Sequence, residues 1–307
     1  MNTIDTKNAV LCAAGVSKSY GKQEVLKKLD LNIQPGCIYG LIGRNGAGKT
    51  TLLGILTGQN TKDSGEVRYG GETVWENRNA LQHICFSREL TPNTASGQNA
   101  LRVKDYLRAA EIFYPKWDKA YAEQLLEKFG LPKADRKKAI AKLSKGQMSM
   151  VTITIALASG APVTILDEPV AGLDVVAREL FYRLLLDDYT KTNRTFIIST
   201  HIIEEAAKVF ERVVILDEGR IVKDEPTEEL VGRFAYLSGA DEALDAAMAA
   251  AGVTALETQL LGRHKMVAVE LSGAQRAQLA AADGISVEPM NLQNVFVALC
   301  GHGDAQR

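Results

Sequence analysis

A glycine-rich segment at residues 43–50, GRNGAGKT, restricts the possible folds of this chain more than any other part of its sequence. It fits the pattern GxxxxGK[ST] in full. It lies between a segment predicted as a strand (37–43, CIYGLIG) and one with helical apolar spacing (50–58, TTLLGILTG). In that context the glycines permit a turn whose backbone N–H groups converge on phosphate, at the positive end of the following helix. We therefore predict a phosphate-binding loop rather than a glycine-rich turn with a chance lysine.

Within this loop the side chains have different predicted tasks. Lys49 supplies a positive charge for the outer phosphates of a nucleotide, and the Thr50 hydroxyl is placed to ligate Mg²⁺. The predicted nucleotide-contacting residues are Gly43, Asn45, Gly46, Ala47, Gly48, Lys49, Thr50 and Thr51.

Two consecutive carboxylates follow the apolar run 163–166, VTIL. They leave the C-terminal edge of the predicted sheet, where ligands bind in open α/β folds. Asp167 suits the Mg²⁺ shell, directly or through water, and Glu168 can orient or deprotonate an attacking water. An acidic pair at a strand end is often a solvated turn, but the phosphate loop upstream favours the catalytic interpretation.

The order of predicted elements indicates an α/β protein with a mostly parallel sheet. Residues 101–142 carry long helical patterns, and predicted strands resume at 163–166 and 195–199 with a helix between them. Past residue 232 the composition shifts to alanine-rich helices alternating with short strands. We predict a nucleotide-binding domain at 1–232, with a helical subdomain at about 90–160, and a small α/β accessory domain at 233–307.

Bulk properties exclude several classes of protein. The formal net charge of −1 gives no support for a nucleic-acid surface, and no apolar run is long enough to cross a bilayer. Four widely spaced cysteines without a CxxC pair predict reduced thiols in a cytosolic chain rather than a zinc site.

Residues 143–147, LSKGQ, stand about 20 positions before the acidic pair, and this ordered set resembles the LSGGQ signature of ABC-transporter ATPase subunits. The resemblance covers about residues 9–232. It implies a P-loop NTPase (RecA-like) fold with antiparallel N-terminal strands, an inserted helical subdomain and a mostly parallel core sheet. It also implies an ATPase that uses ATP and Mg²⁺ and powers a separate integral membrane permease from the cytoplasmic face of the membrane.

The resemblance assigns further roles to residues near the ends of strands. Tyr20 resembles the aromatic residue that stacks on adenine, although a routine strand aromatic remains the alternative. His201, directly after the strand FIIST, resembles the switch histidine that senses the γ-phosphate and acts with Glu168.

The signature residues imply a second copy of the subunit. Ser144, Gly146 and Gln147 resemble groups that contact the γ-phosphate of ATP bound to the opposite subunit. Asp174, in the segment 171–174 (AGLD), resembles the loop that communicates between the two sites. Ser144 is also a good helix N-cap, and the helix after it would present its positive end to phosphate. The implied assembly is a head-to-tail dimer, expected to be a homodimer.

At two positions the chain departs from the family pattern. Lys145 replaces a usual glycine, and alignment of residues 84–89, ICFSRE, places Glu89 where a glutamine normally links the metal site to the membrane partner. We predict that Glu89 can reach Mg²⁺ or its water. A solvated loop residue is the alternative.

Some residues outside the motifs have two interpretations. Phe113, Tyr114 and Trp117 either pack the helical subdomain or border the groove that receives the permease. The basic run 136–138 is expected to form a solvated face, with a contact to anionic lipid or to the partner as the alternative.

The end of the chain, residues 291–300, resembles the closing helix of bacterial ABC-2-type exporter ATPases and favours export over import. One alternative function is a soluble ABC-type ATPase acting on nucleic acid or ribosomes, and a second is a regulatory module that holds ATP without turnover. The sequence gives no indication of the cargo.

Overall fold

The computed structural model describes residues 10–90, 101–261 and 264–301. In chain order its strands are β1 (Leu11–Tyr20), β2 (Gln23–Ile33), β3 (Ile38–Ile42), β4 (Ser64–Tyr69), β5 (Glu72–Thr73), β6 (Ile84–Ser87), β7 (Val163–Asp167), β8 (Thr195–Ser199), β9 (Arg212–Asp217), β10 (Arg220–Pro226), β11 (Phe234–Ala240), β12 (Glu257–Leu261), β13 (His264–Glu270) and β14 (Ser286–Pro289).

The helices are α1 (Lys49–Leu56), α2 (Arg78–Leu81), α3 (Val103–Phe113), α4 (Lys119–Lys128), α5 (Lys145–Ala158), α6 (Val175–Thr192), α7 (Ile203–Ala206), α8 (Thr227–Arg233), α9 (Asp241–Ala251), α10 (Gly273–Ala280) and α11 (Leu292–Cys300). None of these described helices combines the length and the apolar character that a membrane span requires.

A six-stranded central sheet carries the predicted parallel pattern. Its strand order is β10-β9-β3-β8-β7-β6. Neighbours from β9 to β6 run parallel, and only the edge strand β10 is antiparallel. A separate antiparallel sheet of order β2-β1-β4-β5 forms from the N-terminal strands. The expected α/β fold, with a mostly parallel core sheet and antiparallel N-terminal strands, is confirmed.

Side chains of the central strands alternate between two buried apolar layers. In β3, Ile38 and Ile42 face the layer that contains α5 and α6, whereas Tyr39 and Leu41 face the layer that contains α1. Since successive residues of a strand point to opposite faces, this alternation fixes which side of the sheet a strand-end residue occupies. Asp167 follows Ile165 by two positions, and therefore lies on the α1 side.

The helical region before the signature contains one departure from expectation. The 3₁₀ turn Asp135–Lys137 lies near α3 and α4, and Arg136 is buried there, paired with Glu123 of α4. The predicted solvated face is therefore wrong for Arg136. Because this turn packs against a helix, the aliphatic part of the Arg136 side chain is buried, and its guanidinium pairs with a carboxylate.

The C-terminal residues form a third sheet of order β12-β13-β11-β14, crossed by α9 and α10. This β-α-β-β-α-β succession is the split βαβ arrangement. The sequence pattern predicted both helices, β13 and β14, but missed β11 and β12. The closing helix α11 lies against α7 and α8, and its Leu292 and Val295 are buried in the same apolar layer as α5 and α6. The domain boundaries at 232 and 233 stay a prediction.

Candidate nucleotide-binding and catalytic site

The loop of residues 43–50 joins β3 to α1, as predicted, and two of its glycines are required by geometry. Gly48 has φ 105°, and an added Cβ would lie 2.9 Å from Cδ2 of Leu26. A Cβ on Gly43 would lie 2.3 Å from the carbonyl oxygen of Leu216. Positive φ and these close approaches exclude larger residues. The backbone of the loop can therefore turn tightly enough to direct its N–H groups towards a phosphate.

Lys49 is buried at the start of α1, with 8% of its surface exposed. Its Nζ donates to the carbonyl oxygens of Gly43 at 2.7 Å and Arg44 at 3.2 Å. Burial lowers the pKa of this lysine, and the nearby carboxylates of Glu168 and Asp167 oppose that effect. The ammonium is therefore held at the loop before any phosphate arrives.

Asp167 ends β7 on the side of the sheet that faces α1, and its carboxylate is buried. Ser199, at the end of the neighbouring strand β8, donates its hydroxyl to Asp167 Oδ1. The same hydroxyl lies 3.1 Å from the backbone N of Glu168 and accepts from it. Sequence reasoning missed Ser199. Its signal was available, since Ser199 ends an apolar strand at the same edge of the sheet as Asp167.

Glu168 has φ 51°, a left-handed conformation that is uncommon for a residue with a side chain. Its backbone N–H also donates to the carbonyl of Ser199 at 3.1 Å, which holds this conformation. His201 Nδ1 lies 2.7 Å from Glu168 Oε2. The structure thus brings the two predicted catalytic residues into direct contact, and the strained backbone turns the carboxylate towards the histidine rather than into the sheet.

The oxygen groups near the phosphate loop suit Mg²⁺. Thr50 is exposed in the first turn of α1, and Asp167 offers a buried carboxylate. Magnesium prefers such hard oxygen ligands and usually completes its shell with phosphate and water. Among the described residues no three His, Cys, Asp or Glu side chains form a metal-binding group.

Tyr20, the last residue of β1, has 52% of its surface exposed. Lys18 lies two positions earlier on the same face of the strand, and its Nζ is 5.4 Å from the centre of the Tyr20 ring. This ammonium is nearly buried and is held by Asp63 at 3.1 Å and Thr61 at 3.2 Å. The Tyr20 ring is exposed, and its stacking on adenine stays a prediction. The sequence did not indicate the contact of Lys18 with this ring.

The signature residues begin α5. Ser144 is the N-cap and accepts from the Gln147 backbone N at 3.2 Å, while Gln147 Oε1 accepts from the Ser144 backbone N at 3.1 Å. This reciprocal capping box fixes the first turn of the helix. Gln147 also donates to Asp135 at 3.0 Å. The remaining N–H groups at this exposed helix start make a partial positive charge of the kind that binds anions.

The signature packs against the segment 171–174 of the same chain. A Cβ on Gly146 would lie 2.6 Å from the carbonyl oxygen of Gly172, so only glycine allows this approach. Ser149 donates to the carbonyl of Ala171 at 2.6 Å. Asp174 caps α6 by accepting from the Ala177 backbone N at 2.8 Å. The signature turn and the segment 171–174, which the family resemblance links to the partner subunit, therefore pack against each other within this chain.

Glu89 lies two residues beyond the end of β6. Its Oε1 is 3.1 Å from Nζ of Lys145, so the structure pairs it with the signature helix. A role for Glu89 at Mg²⁺ stays a prediction.

The phosphate loop, the acidic pair and the histidine at the C-terminal edge of a parallel sheet define a nucleotide-hydrolysing protein of the phosphate-loop class. A sequence model of the family described as ABC transporter matches residues 26–171. The Nod factor export ATP-binding protein I of Burkholderia lata is 31% identical over 299 residues, covering 93% of this chain and 95% of that protein.

Another relative is the sulfate/thiosulfate import ATP-binding protein CysA of Salmonella typhi, 35% identical over 218 residues, which are 68% of this chain and 58% of the relative. A solved structure of an ATP-binding subunit of an ABC transporter has a TM-score of 0.62 and 26% identity, covering 72% of this chain and 91% of the other. The chain belongs to the ABC transporter family, in which it is an ATP-binding subunit with ATPase chemistry.

Proposed function

We propose that this chain is the motor subunit of an ABC exporter, binding ATP between two head-to-tail copies and driving a separate membrane permease from the cytoplasmic face. The observation that carries the proposal is the cluster of Lys49, Asp167, Glu168 and His201 around the phosphate loop. It combines a phosphate-binding cation, a metal-binding carboxylate and a carboxylate placed for water.

In the proposed mechanism the loop 43–50 binds the phosphates through its N–H groups, and Lys49 transfers its contacts from the loop carbonyls to the outer phosphate oxygens. His201 engages Oε2 of Glu168, and we assign the other carboxylate oxygen to the attacking water. Glu168 accepts a proton from that water as the water oxygen attacks the γ-phosphorus, while the bond from the γ-phosphorus to the β,γ-bridging oxygen breaks and ADP leaves. Mg²⁺, bound through Thr50 and Asp167, would neutralise charge that develops on the phosphates.

The dimer is proposed from the exposed signature turn. Ser144 is exposed at the start of α5, where its helix end can meet a phosphate that the partner subunit holds. Val175 and Val176 follow Asp174 and are both mostly exposed, although they are apolar. Adjacent apolar side chains beside the 171–174 segment fit a surface that a second copy covers.

A groove beside α3 supports the proposed permease contact. It has a volume of about 400 Å³ and is lined on one side by Phe86 of β6 and Arg88 just after this strand, and on the other by Phe113 and Tyr114. Phe113 is 55% exposed, whereas Trp117 packs against the main core. Tyr114 borders the groove and also packs against the main core with Trp117, so Phe113 is the exposed aromatic that we propose for the permease contact.

Export is favoured over import by the closing helix α11 and by the near full-length match to a protein named for export. A relative named for import matches over 68% of this chain. The match to the export-named relative covers 93% of this chain and therefore extends into the accessory sheet, which supports the proposed direction. Nucleic acid is not expected as a partner, because the net charge of −1 offers no general attraction to phosphate backbones.

The deciding experiment compares ATP turnover and oligomeric state of the wild-type chain with those of Glu168→Gln. Replacing the carboxylate removes the proton acceptor, so turnover should fall by about 10²-fold or more while ATP still binds. The variant should then accumulate as an ATP-dependent dimer by light scattering. Glu179→Gln, an exposed glutamate on α6, is the matched control and should keep wild-type turnover and remain monomeric after turnover. Full turnover by Glu168→Gln would remove Glu168 from the chemistry.

Permease coupling is tested in the complex with the membrane subunit that co-purifies with the chain. Phe113→Ala should lower permease-stimulated turnover by about 10-fold, in the range of interface hot spots, without changing the turnover of the isolated subunit. Trp117→Ala is the comparison, since a packing residue should lower both activities together. Equal losses for both variants would assign Phe113 to packing. Recovery of RNA instead of a membrane protein would favour the soluble alternative.

A further inference from the structure

The two positions at which this chain departs from the family pattern meet in space. Glu89 stands where a glutamine is usual, Lys145 stands where a glycine is usual, and their charged groups lie 3.1 Å apart. The side chains come from segments 56 positions apart in the sequence, so the contact is a product of the fold.

Lys145 needs an anion where it lies. It is the first residue of α5, directly after the N-cap Ser144, and the positive end of a helix disfavours a cation. The first turn of α5 contains no acidic residue that could offset this repulsion. Glu89 supplies the carboxylate from outside the helix.

The pair also joins three segments of the site. Glu89 follows β6, which pairs with β7 and so ends at the same edge of the sheet as Asp167. The stem of Lys145 lies across Gly172, where an added Cβ would be 2.7 Å from Cγ of the lysine. The Lys145 side chain, paired with Glu89, therefore lies where the end of β6, the signature turn and the segment 171–174 meet.

We propose that Glu89 is a positioning residue for the signature helix: its carboxylate holds the Lys145 ammonium and thereby fixes the first turn of α5 against the end of β6. Glu89 then acts through Lys145 rather than through Mg²⁺. The inference rests on the proposed function, because the signature turn matters to turnover only if it completes a nucleotide site.

The test is a double-mutant cycle of Glu89→Gln and Lys145→Met in the full chain, with ATP turnover as the readout. Glu89→Gln leaves the ammonium unpaired at the helix start, and kcat/KM should fall by about 2- to 5-fold, since both groups are partly exposed. Lys145→Met keeps the stem against Gly172 and removes the charge. It should suppress the Glu89→Gln defect, so that the double variant matches the Lys145→Met single variant within about 1.5-fold.

The dependence of turnover on salt and on Mg²⁺ concentration distinguishes a positioning role of Glu89 from a packing role and from a metal-binding role. The Glu89→Gln defect should shrink between about 0.05 M and about 0.5 M salt, because screening weakens an exposed pair, whereas a packing defect would persist. The Mg²⁺ concentration for half-maximal turnover should be unchanged. A Glu89→Gln defect that persists in the Lys145→Met background, or a raised Mg²⁺ requirement, would overturn the proposal and favour a metal role. Absence of turnover in the wild-type chain would instead count against the proposed function.

Discussion

The nucleotide site and the C-terminal sheet differ in whether they bury charged side chains. Around the phosphate loop, Lys49 and Asp167 are buried charges, and Gly48 and Glu168 have left-handed backbone conformations. Among the described residues of the C-terminal part, 234–261 and 264–301, no charged side chain is buried, and apolar packing accounts for the core. We infer that the nucleotide site retains buried charges and left-handed backbone, which cost folding free energy, because ligand binding requires them. The C-terminal sheet has the apolar core of a region whose residues mainly stabilise the fold.

The largest effect is expected for a substitution in the nucleotide site. Lys49→Met removes the cation that the loop holds for phosphate, and turnover should fall by about 10²- to 10³-fold. Stability should change little or increase, because a buried charge has been removed. Turnover and a urea unfolding curve measure the two effects. Lys133→Met, an exposed lysine after α4, is the control and should match wild type in both. A large loss of stability with Lys49→Met would contradict the contrast between the two regions.

A second experiment compares Phe234 with Leu244. Phe234 starts β11 but is buried in the main core, whereas Leu244 of α9 is buried in the separate C-terminal cluster. Phe234→Ala should lower the free energy of unfolding of the ATPase region by about 3–5 kcal/mol. Leu244→Ala should destabilise the C-terminal sheet by about 2–5 kcal/mol without changing turnover per folded molecule.

Tryptophan fluorescence separates these two outcomes. Both tryptophans of the chain, Trp75 and Trp117, lie outside the C-terminal part, so fluorescence follows the ATPase region alone. Phe234→Ala should shift the fluorescence-detected transition. Leu244→Ala should shift only a circular dichroism transition that includes the C-terminal sheet. A fluorescence shift as large for Leu244→Ala as for Phe234→Ala would mean that the two regions unfold as one unit.

These cores also show what a sequence can predict. The loop 43–50, the acidic pair and His201 could be recognised because ligand chemistry fixes residue types at set spacings. The structure brings them to one edge of the central sheet, and their roles stay predictions. Ser199 and Lys18 were missed because a serine and a lysine at strand ends have many roles. The pairing of Glu89 with Lys145 depends on tertiary contact. In the C-terminal part the alanine-rich helices were clear, but β12, a short polar edge strand, has no strong pattern.

A smaller effect is expected at the adenine position. Lys18→Met removes the ammonium beside the Tyr20 ring, and ATP affinity should fall by about 2- to 5-fold, the range of a partly exposed cation–π contact. Binding of inorganic tripolyphosphate with Mg²⁺ should be unchanged, because that ligand has no base to stack. Calorimetry measures both affinities. Lys62→Met, which replaces the lysine between Thr61 and Asp63 in the sequence, is the control. Equal losses for the two ligands would mean that Lys18 supports the fold rather than the ring.

The smallest effect concerns the ion pairs that tie the C-terminal sheet to the ATPase region. Glu270 of β13 lies 3.0 Å from Nε of Arg233 and 3.3 Å from Nζ of Lys223. Burial raises the pKa of Glu270, but the contacts with Arg233 and Lys223 outweigh it and hold the pKa below its usual range. A lowered carboxylate pKa stabilises the fold above the unfolded value of about 4.3 and loses that contribution as pH falls through the folded value.

Glu270→Gln should therefore lower the free energy of unfolding by about 0.2–1 kcal/mol at pH 7, a figure already reduced for solvent screening of these partly exposed groups. The difference from wild type should shrink as pH falls below the unfolded value of about 4.3, and it should vanish once pH is below the lowered pKa of folded Glu270, where the wild-type carboxyl is protonated as well. Unfolding curves at several pH values measure both. Glu288→Gln, an exposed glutamate on β14, is the control and should show no difference at any of these pH values. A Glu270→Gln cost that persists in acid would come from packing, and the junction between the two regions would then be held by apolar contacts such as Phe234 rather than by charge.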